Sequence, residues 1–277
     1  MNQRIYFLDF IDDLGRRFLT TFRYTLELFM LVYLSVRSAV FNSTQSFRSI
    51  SAVIFSQVYF TGWLALPLIT ILALASSGIV VLQSTSQFNF FGGGGMLGQL
   101  LVVIVIREIA PLLTALIVIA RSGTAVATEL GNMRVNQEIE ALETLGINPL
   151  SYIVFPRIAG GIISVSCLAM YFILTSIIGG FIFSKIFLNM SLSFYLDAVV
   201  QVLSVEDLYL LAFKNIVGGA VIFTISCHQG LKMKTGPHEV PQSTTKAVVD
   251  SIIYVIAFNL IVTILFYINQ LIKFGII

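Results

Sequence analysis

From Ser49 to Ile106 the chain carries no charged residue, and a second uncharged run extends from Ser251 to Ile272. A helix needs about 20 mostly apolar residues to cross a bilayer, and these runs are too long for a soluble fold of this size. Charged residues make up 11% of the chain, whereas soluble domains usually carry about 25%. Hydrophobic residues reach 57%, and the mean hydropathy is +0.94. The chain is expected to be an all-α integral membrane protein.

Smaller features narrow the class. Cys167 and Cys227 both lie in apolar stretches, with no CxxC and no metal-like cluster, so they read as small buried hydrophobes. The first apolar stretch is interrupted by Asp9, Asp12 and Asp13; it does not read as a signal peptide, and no transit peptide is evident. A net charge of +2 gives no reason to expect nucleic acid.

Residues 1–57 mix arginine with Phe, Leu and Tyr. Phe18, Phe22, Leu26, Phe29, Met30 and Tyr33 recur at helical spacing, and the uncharged run Leu28–Val36 is short. This region is expected to be an amphipathic helix lying in the membrane interface. Five transmembrane helices follow, in one body over 58–277: about 58–82 with Pro67 inside, about 96–120, within 152–184, about 208–228 and about 247–271. The stretch 83–95 reads as a polar, glycine-rich turn. It holds no GxxxxGK[ST], so it is not a phosphate loop. Paired glycines at 160–161, 179–180 and 218–219 mark close helix packing.

Lysine and arginine orient the chain. Arg4, Arg16, Arg17, Arg23, Arg37 and Arg48, then Arg121, Arg134 and Arg157, then Lys232, Lys234 and Lys246 fall on one side of this topology; Lys185 and Lys273 fall on the other. The N-terminus, the 121–157 loop and the 229–246 loop are therefore expected to face the cytoplasm, and the C-terminus the outside.

The 121–157 loop concentrates charge: Glu129, Arg134, Glu138, Glu140 and Glu143. Within it Gln137–Leu145 reads as a short helix, N-capped by Asn136 and stopped by Gly146 and Pro149. Val135, Ile139 and Leu142 recur at helical spacing, and Glu138, Glu140 and Glu143 cover other faces. So short a helix is not stable alone in water; it must pack on the spans or on a second protein with basic groups.

Arg107, Glu108 and Lys214 fall inside spans. Charges there are costly unless paired or wet. Adjacent residues of a helix diverge by about 100°, so Glu108 is expected to pair with Lys214 and leave Arg107 free in a positively biased cavity that would greet an anionic headgroup. Leu66, Leu68, Ile69 and Leu72 are the expected contacts for apolar tails. A purely structural charge network is the alternative. There is no HExxH or GxSxG, no nucleophile–base pair is visible within the spans, and His228 and His238 read as polar loop residues. The chain is expected to be non-catalytic, with no metal site.

"REIAPLLTALIVIARSGTAVATELGNMRVNQEIEALETLGINPLSYIVFPRIAGG", 107–161, closely resembles the MlaE/YrbE permease family, whose pattern is RE-x-GP-x-x-TAL, then AELG-x-M, then E-x-I-x-AL and a later PR. "STTKAVVDS", 243–251, resembles its second signature, ATT-x-AVV. Ala110 stands where that family usually has glycine, and Ser243 where it has alanine. The likeness runs from about residue 55 to the C-terminus. It implies a non-catalytic permease subunit of an ATP-driven transporter of phospholipids or related lipids: a homodimer served by a cytoplasmic ABC ATPase and an MCE-domain protein outside. No cofactor would bind directly, ATP acting through the partner ATPase. The segment 136–146 becomes the coupling helix, with Glu138, Ile139, Glu140, Leu142, Glu143 and Leu145 meeting the ATPase. The membrane would be the inner membrane of a bacterium with an outer membrane, or a plastid inner envelope. A stand-alone channel or ion-coupled carrier, and a non-transporting envelope scaffold, are the other readings.

Overall fold

A computed structural model describes the backbone of residues 2–41, 47–91, 95–233, 236 and 238–273. Side chains of 2–15, 17, 18, 47–49, 85–91, 95–97 and 273 lie outside the described set, Phe18 among them. Within the described residues every regular element is helical. Six stretches are long and apolar enough to cross a membrane: Leu19–Phe41, Ile50–Ser84, Gly98–Val135, Leu150–Leu188, Val205–Leu231 and Glu239–Ile272. Five match the expected spans. The additional one belongs to the N-terminal helix α1 (Asn2–Phe41), which is longer than its short uncharged run suggests.

Packing says how α1 lies. Its Tyr24 hydroxyl donates to Asp250 Oδ2 at 3.1 Å, and Glu27 meets His228 and Lys232 at 3.4 and 3.7 Å. Leu28 and Val32 face Val217, Val221 and Thr224 across an apolar hollow of about 300 Å³. Further on, Arg37, Ser38 and Phe41 share a pocket with Asn148 and Leu150. Residues 24 and 38 are about 21 Å apart along a helix, yet the groups they meet, 228–232 and 148–150, lie at one end of the bundle. These contacts set α1 obliquely across that end.

The helices run on where composition suggested loops. The expected first span is α2 (Phe47–Thr61), a tight turn at Trp63–Ala65, and α3 (Leu66–Phe91). Pro67 falls in the first turn of α3, where its missing N–H leaves no helical bond unmade. The polar stretch expected as a turn is helical as far as Phe91; residues 92–94 lie outside the described residues. Next, α4 (Gly95–Leu100), a π-helical segment Leu101–Ile109, α5 (Ala110–Val118), a second wide segment Ile119–Gly123 and α6 (Thr124–Val135) form one composite rod. Residues 121–135 are thus helix, not loop. A helix satisfies its own backbone, so nothing obliges it to stop where its side chains turn polar.

After α6 the chain reverses through Gln137 in the left-handed region, φ 59°, into α7 (Glu138–Thr144). Asn136 is not the N-cap: α6 reaches Val135, and Asn136 Nδ2 instead donates to Glu138 Oε1 at 3.2 Å. Gly146 ends α7 with φ 76°, as expected. A wide turn Leu150–Val154 leads into α8 (Phe155–Leu188), which packs on α2, α3 and α10. The short α9 (Leu192–Val200) precedes α10 (Val205–Leu231), which also packs on α6 and α11 (Glu239–Lys273). Gly161 shows why glycine stands at the α8–α10 crossing: a Cβ there would collide with the Phe223 ring.

Candidate functional site

Two charge clusters define the molecule, one inside the bundle and one at its end. In the first, Arg107 and Glu108 sit near the close of the π-helical segment Leu101–Ile109. Such wide turns are frequent at functional sites. Lys214 of α10 reaches across, donating to the Arg107 carbonyl at 2.9 Å, to Thr263 Oγ1 at 2.9 Å and to Glu108 Oε1 and Oε2 at 3.3 and 3.2 Å. Thr263 Oγ1 lies 3.0 Å from Glu108 Oε2. The expected Glu108–Lys214 pair is present.

Arg107 is not free. Its Nε stands 2.8 Å from Asp207 Oδ1, and its Nη2 donates to Asp207 Oδ2 at 3.2 Å. The guanidinium also lies 5.4 Å from the centroid of the Phe266 ring. Asp207 belongs to the first turn of α10, where Ser204 caps the helix and its N–H donates to Asp207 Oδ2 at 2.9 Å. The expected span begins at 208 and leaves this acid outside it; the Ser204–Asp207 capping spacing is the sequence signal that marks it. The cluster pairs two cations with two acids and is not positively biased. Arg107, Asp207 and Lys214 are 7%, 1% and 1% exposed, whereas the Glu108 side chain keeps 30% of its surface. The accessible member is the acid Glu108, while the other acid, Asp207, is as enclosed as the two cations.

At the end of the bundle, Arg157 forms a two-pronged pair with Glu129, Nη1 to Oε2 at 2.9 Å and Nη2 to Oε1 at 2.7 Å. Arg134 meets Glu140 at 2.7 Å and ties α6 to α7. Ile139 is buried within this chain, and Leu142 packs against the core. Leu145 is 75% exposed, and Glu138 and Glu143 face outward with it. Of the three apolar residues expected to meet the ATPase, Ile139 anchors α7 to its own bundle and Leu145 projects away from it.

The four leucine and isoleucine candidates are likewise divided. Leu66 lines an apolar hollow of about 380 Å³ with Phe55, Val58, Trp63 and Leu168. Ile69 is fully buried, Leu72 packs on the core, and Leu68 turns outward. Cys227 is buried, but Cys167 is exposed beside that hollow. His228 lies in the last turn of α10 beside Glu27, not in a loop, while His238 occupies an exposed turn.

The MlaE permease family matches residues 54–265, and the chain belongs to that family. Probable ABC transporter permease proteins are similar to it. One from Rickettsia bellii is 32% identical over 216 residues, covering 78% of this chain and 83% of the relative. One from Synechocystis sp. is 31% identical over 192 residues, covering 68% and 73%. One from Porphyra purpurea is 28% identical over 225 residues, covering 81% and 82%.

Proposed function

We propose that this permease is the non-catalytic subunit of an ATP-driven transporter that moves phospholipids or related lipids between the inner membrane and an MCE-domain partner. ATP is hydrolysed by a separate cytoplasmic ABC ATPase, and two copies of the chain form the lipid pathway. The observation that carries the reading is α7: a short helix fixed by Ile139 to its own bundle, yet presenting Glu138, Glu143 and Leu145 outward. A helix so placed suits docking to a basic-rimmed groove. Arg134 in the last turn of α6, Arg157 in the first turn of α8 and Lys232 just after α10 lie at the same end of the bundle as α7, which supports a cytoplasmic position for α7. The membrane is the inner membrane of a bacterium with an outer membrane, or a plastid inner envelope.

Arg107 and Lys214 engage a headgroup only by exchanging Asp207 and Glu108 for its phosphate, since both cations are enclosed and paired. Of the four tail candidates, Leu66 lines an apolar hollow and Leu68 faces outward, the two positions open to an acyl chain. The deciding experiment is purification from the native membrane in mild detergent, with mass measurement and lipid extraction. A dimer carrying an ATPase and bound phospholipid is expected. A monomer that transports lipid in vesicles without ATPase would overturn the reading in favour of a stand-alone carrier built on the Arg107–Asp207 and Glu108–Lys214 pairs.

A further inference from the structure

Between α1 and the turn entering α8 lies a pocket of about 400 Å³ lined by Leu34, Arg37, Ser38, Phe41, Asn148 and Leu150. Its polar groups are an unusual set. Ser38 is 7% exposed, and its hydroxyl has no hydrogen-bond partner among the described residues. Ser35, one turn earlier, instead donates to the Val32 carbonyl at 2.9 Å, the usual way a helical serine satisfies itself. A buried hydroxyl left unpaired costs free energy, so an occupant that accepts its hydrogen bond is favoured. Arg37 is exposed at the rim and makes no ion pair among the described residues. Asn148 Oδ1 accepts from the Leu150 N–H at 2.9 Å, which leaves its amide nitrogen as the available group. The pocket thus offers a guanidinium, a hydroxyl and an amide, with no carboxylate among its described lining residues. Donors gathered around a fork-shaped cation suit a phosphate ester.

The rest of the lining is apolar: Leu34, Phe41 and Leu150. Beside them α1 turns Val36, Val40 and Phe41 outward, Phe41 at 80% exposure. A free inorganic anion has no use for such walls; a diacyl chain lying along α1 does. We propose that this pocket binds the phosphate headgroup of an anionic glycerophospholipid from the leaflet that α1 faces, and that the bound lipid ties α1 to the turn joining α7 to α8. The site is separate from the Arg107–Asp207 layer and does not depend on which substrate the transporter moves.

The full-length chain in non-ionic detergent is titrated with short-chain phosphatidylglycerol, with short-chain phosphatidylcholine and with inorganic phosphate, following intrinsic fluorescence and the thermal midpoint. Phosphatidylglycerol is expected to bind saturably and raise the midpoint. Arg37→Gln and Ser38→Ala are each expected to weaken that binding about tenfold, the loss of one charge-assisted contact. Lys232→Gln, a cation outside the pocket at the same end of the bundle, is expected to bind as the parent does. Arg37 is exposed, so its substitution leaves the fold intact even if Ser38→Ala does not. Inorganic phosphate binding as tightly as the lipid would overturn the lipid assignment in favour of a free anion. Phosphatidylcholine binding equally well would overturn the requirement for an anionic headgroup. Equal lipid binding by parent, Arg37→Gln and Ser38→Ala would overturn the site.

Discussion

The interior charge layer and α7 carry similar numbers of charged groups and treat them in opposite ways. Inside the bundle, Arg107 and Lys214 are each closed over by an acid, and Lys214 gains a carbonyl and a hydroxyl besides. At the end of the bundle, Glu138 and Glu143 are left facing outward. The solvent explains the difference. An ion removed from water without a partner costs several kcal/mol, whereas a carboxylate at the surface keeps its hydration. Charge in the first region is therefore a structural obligation, and charge in the second is available for recognition.

The largest effect should come from breaking a buried pair. Asp207→Ala strands the Arg107 guanidinium and is expected to lower stability by about 3–5 kcal/mol; Lys214→Ala, which strands the more exposed Glu108, should cost less. The double change Arg107→Met with Asp207→Leu removes both charges and should recover much of the loss, while abolishing transport if the pair also works in the cycle. Thermal unfolding in detergent beside a vesicle transport assay reads both.

Next in size is the anchor of α7. Ile139→Ala opens a cavity under a helix too short to stand alone, at about 2–5 kcal/mol locally. It is expected to increase proteolysis near 136–148 more than it lowers the global midpoint. Leu145→Ala should leave proteolysis unchanged and weaken ATPase co-purification instead. If both variants alter only proteolysis, α7 is packing and nothing more.

Reversing Glu138, Glu140 and Glu143 together to lysine should abolish ATPase co-purification through like-charge contact across a basic rim. The reversal of Glu140 also breaks its bond to Arg134, so Glu138 and Glu143 reversed alone are the cleaner pair. The smallest effect is expected of Glu143→Gln, less than about fivefold in binding, as for a single rim charge. A larger loss would mean that Glu143 is buried in the complex, which would blur the distinction between the two regions.

How far the sequence could be read differs element by element. The spans were visible because an uncharged run of bilayer length admits few other readings. Their ends were not, since α3, α6 and α11 continue through polar residues that cost a helix nothing outside the membrane. The Glu108–Lys214 pair followed from the expense of intramembrane charge. Asp207 did not, because it stands at a helix start that composition assigns to a loop. The second signature, 243–251, places Asp250 in α11, where Gln229 Nε2 donates to it at 2.8 Å and the Tyr24 hydroxyl joins it at 3.1 Å; no spacing within the chain announces that meeting.

By itself the sequence determined the solvent of this protein, its helical class, the membership of its central and C-terminal regions in a permease family, and the presence of an acid-rich helix between two spans. Those follow from hydropathy, charge and local motif, which act over a few turns of helix. Only the tertiary structure decided that Arg107 is paired, that Ile139 faces inward while Leu145 faces out, and that α1 lies across one end of the bundle to enclose Ser38. Each of these depends on which residues from distant parts of the chain come to share a low-dielectric space, and a linear pattern does not carry that information.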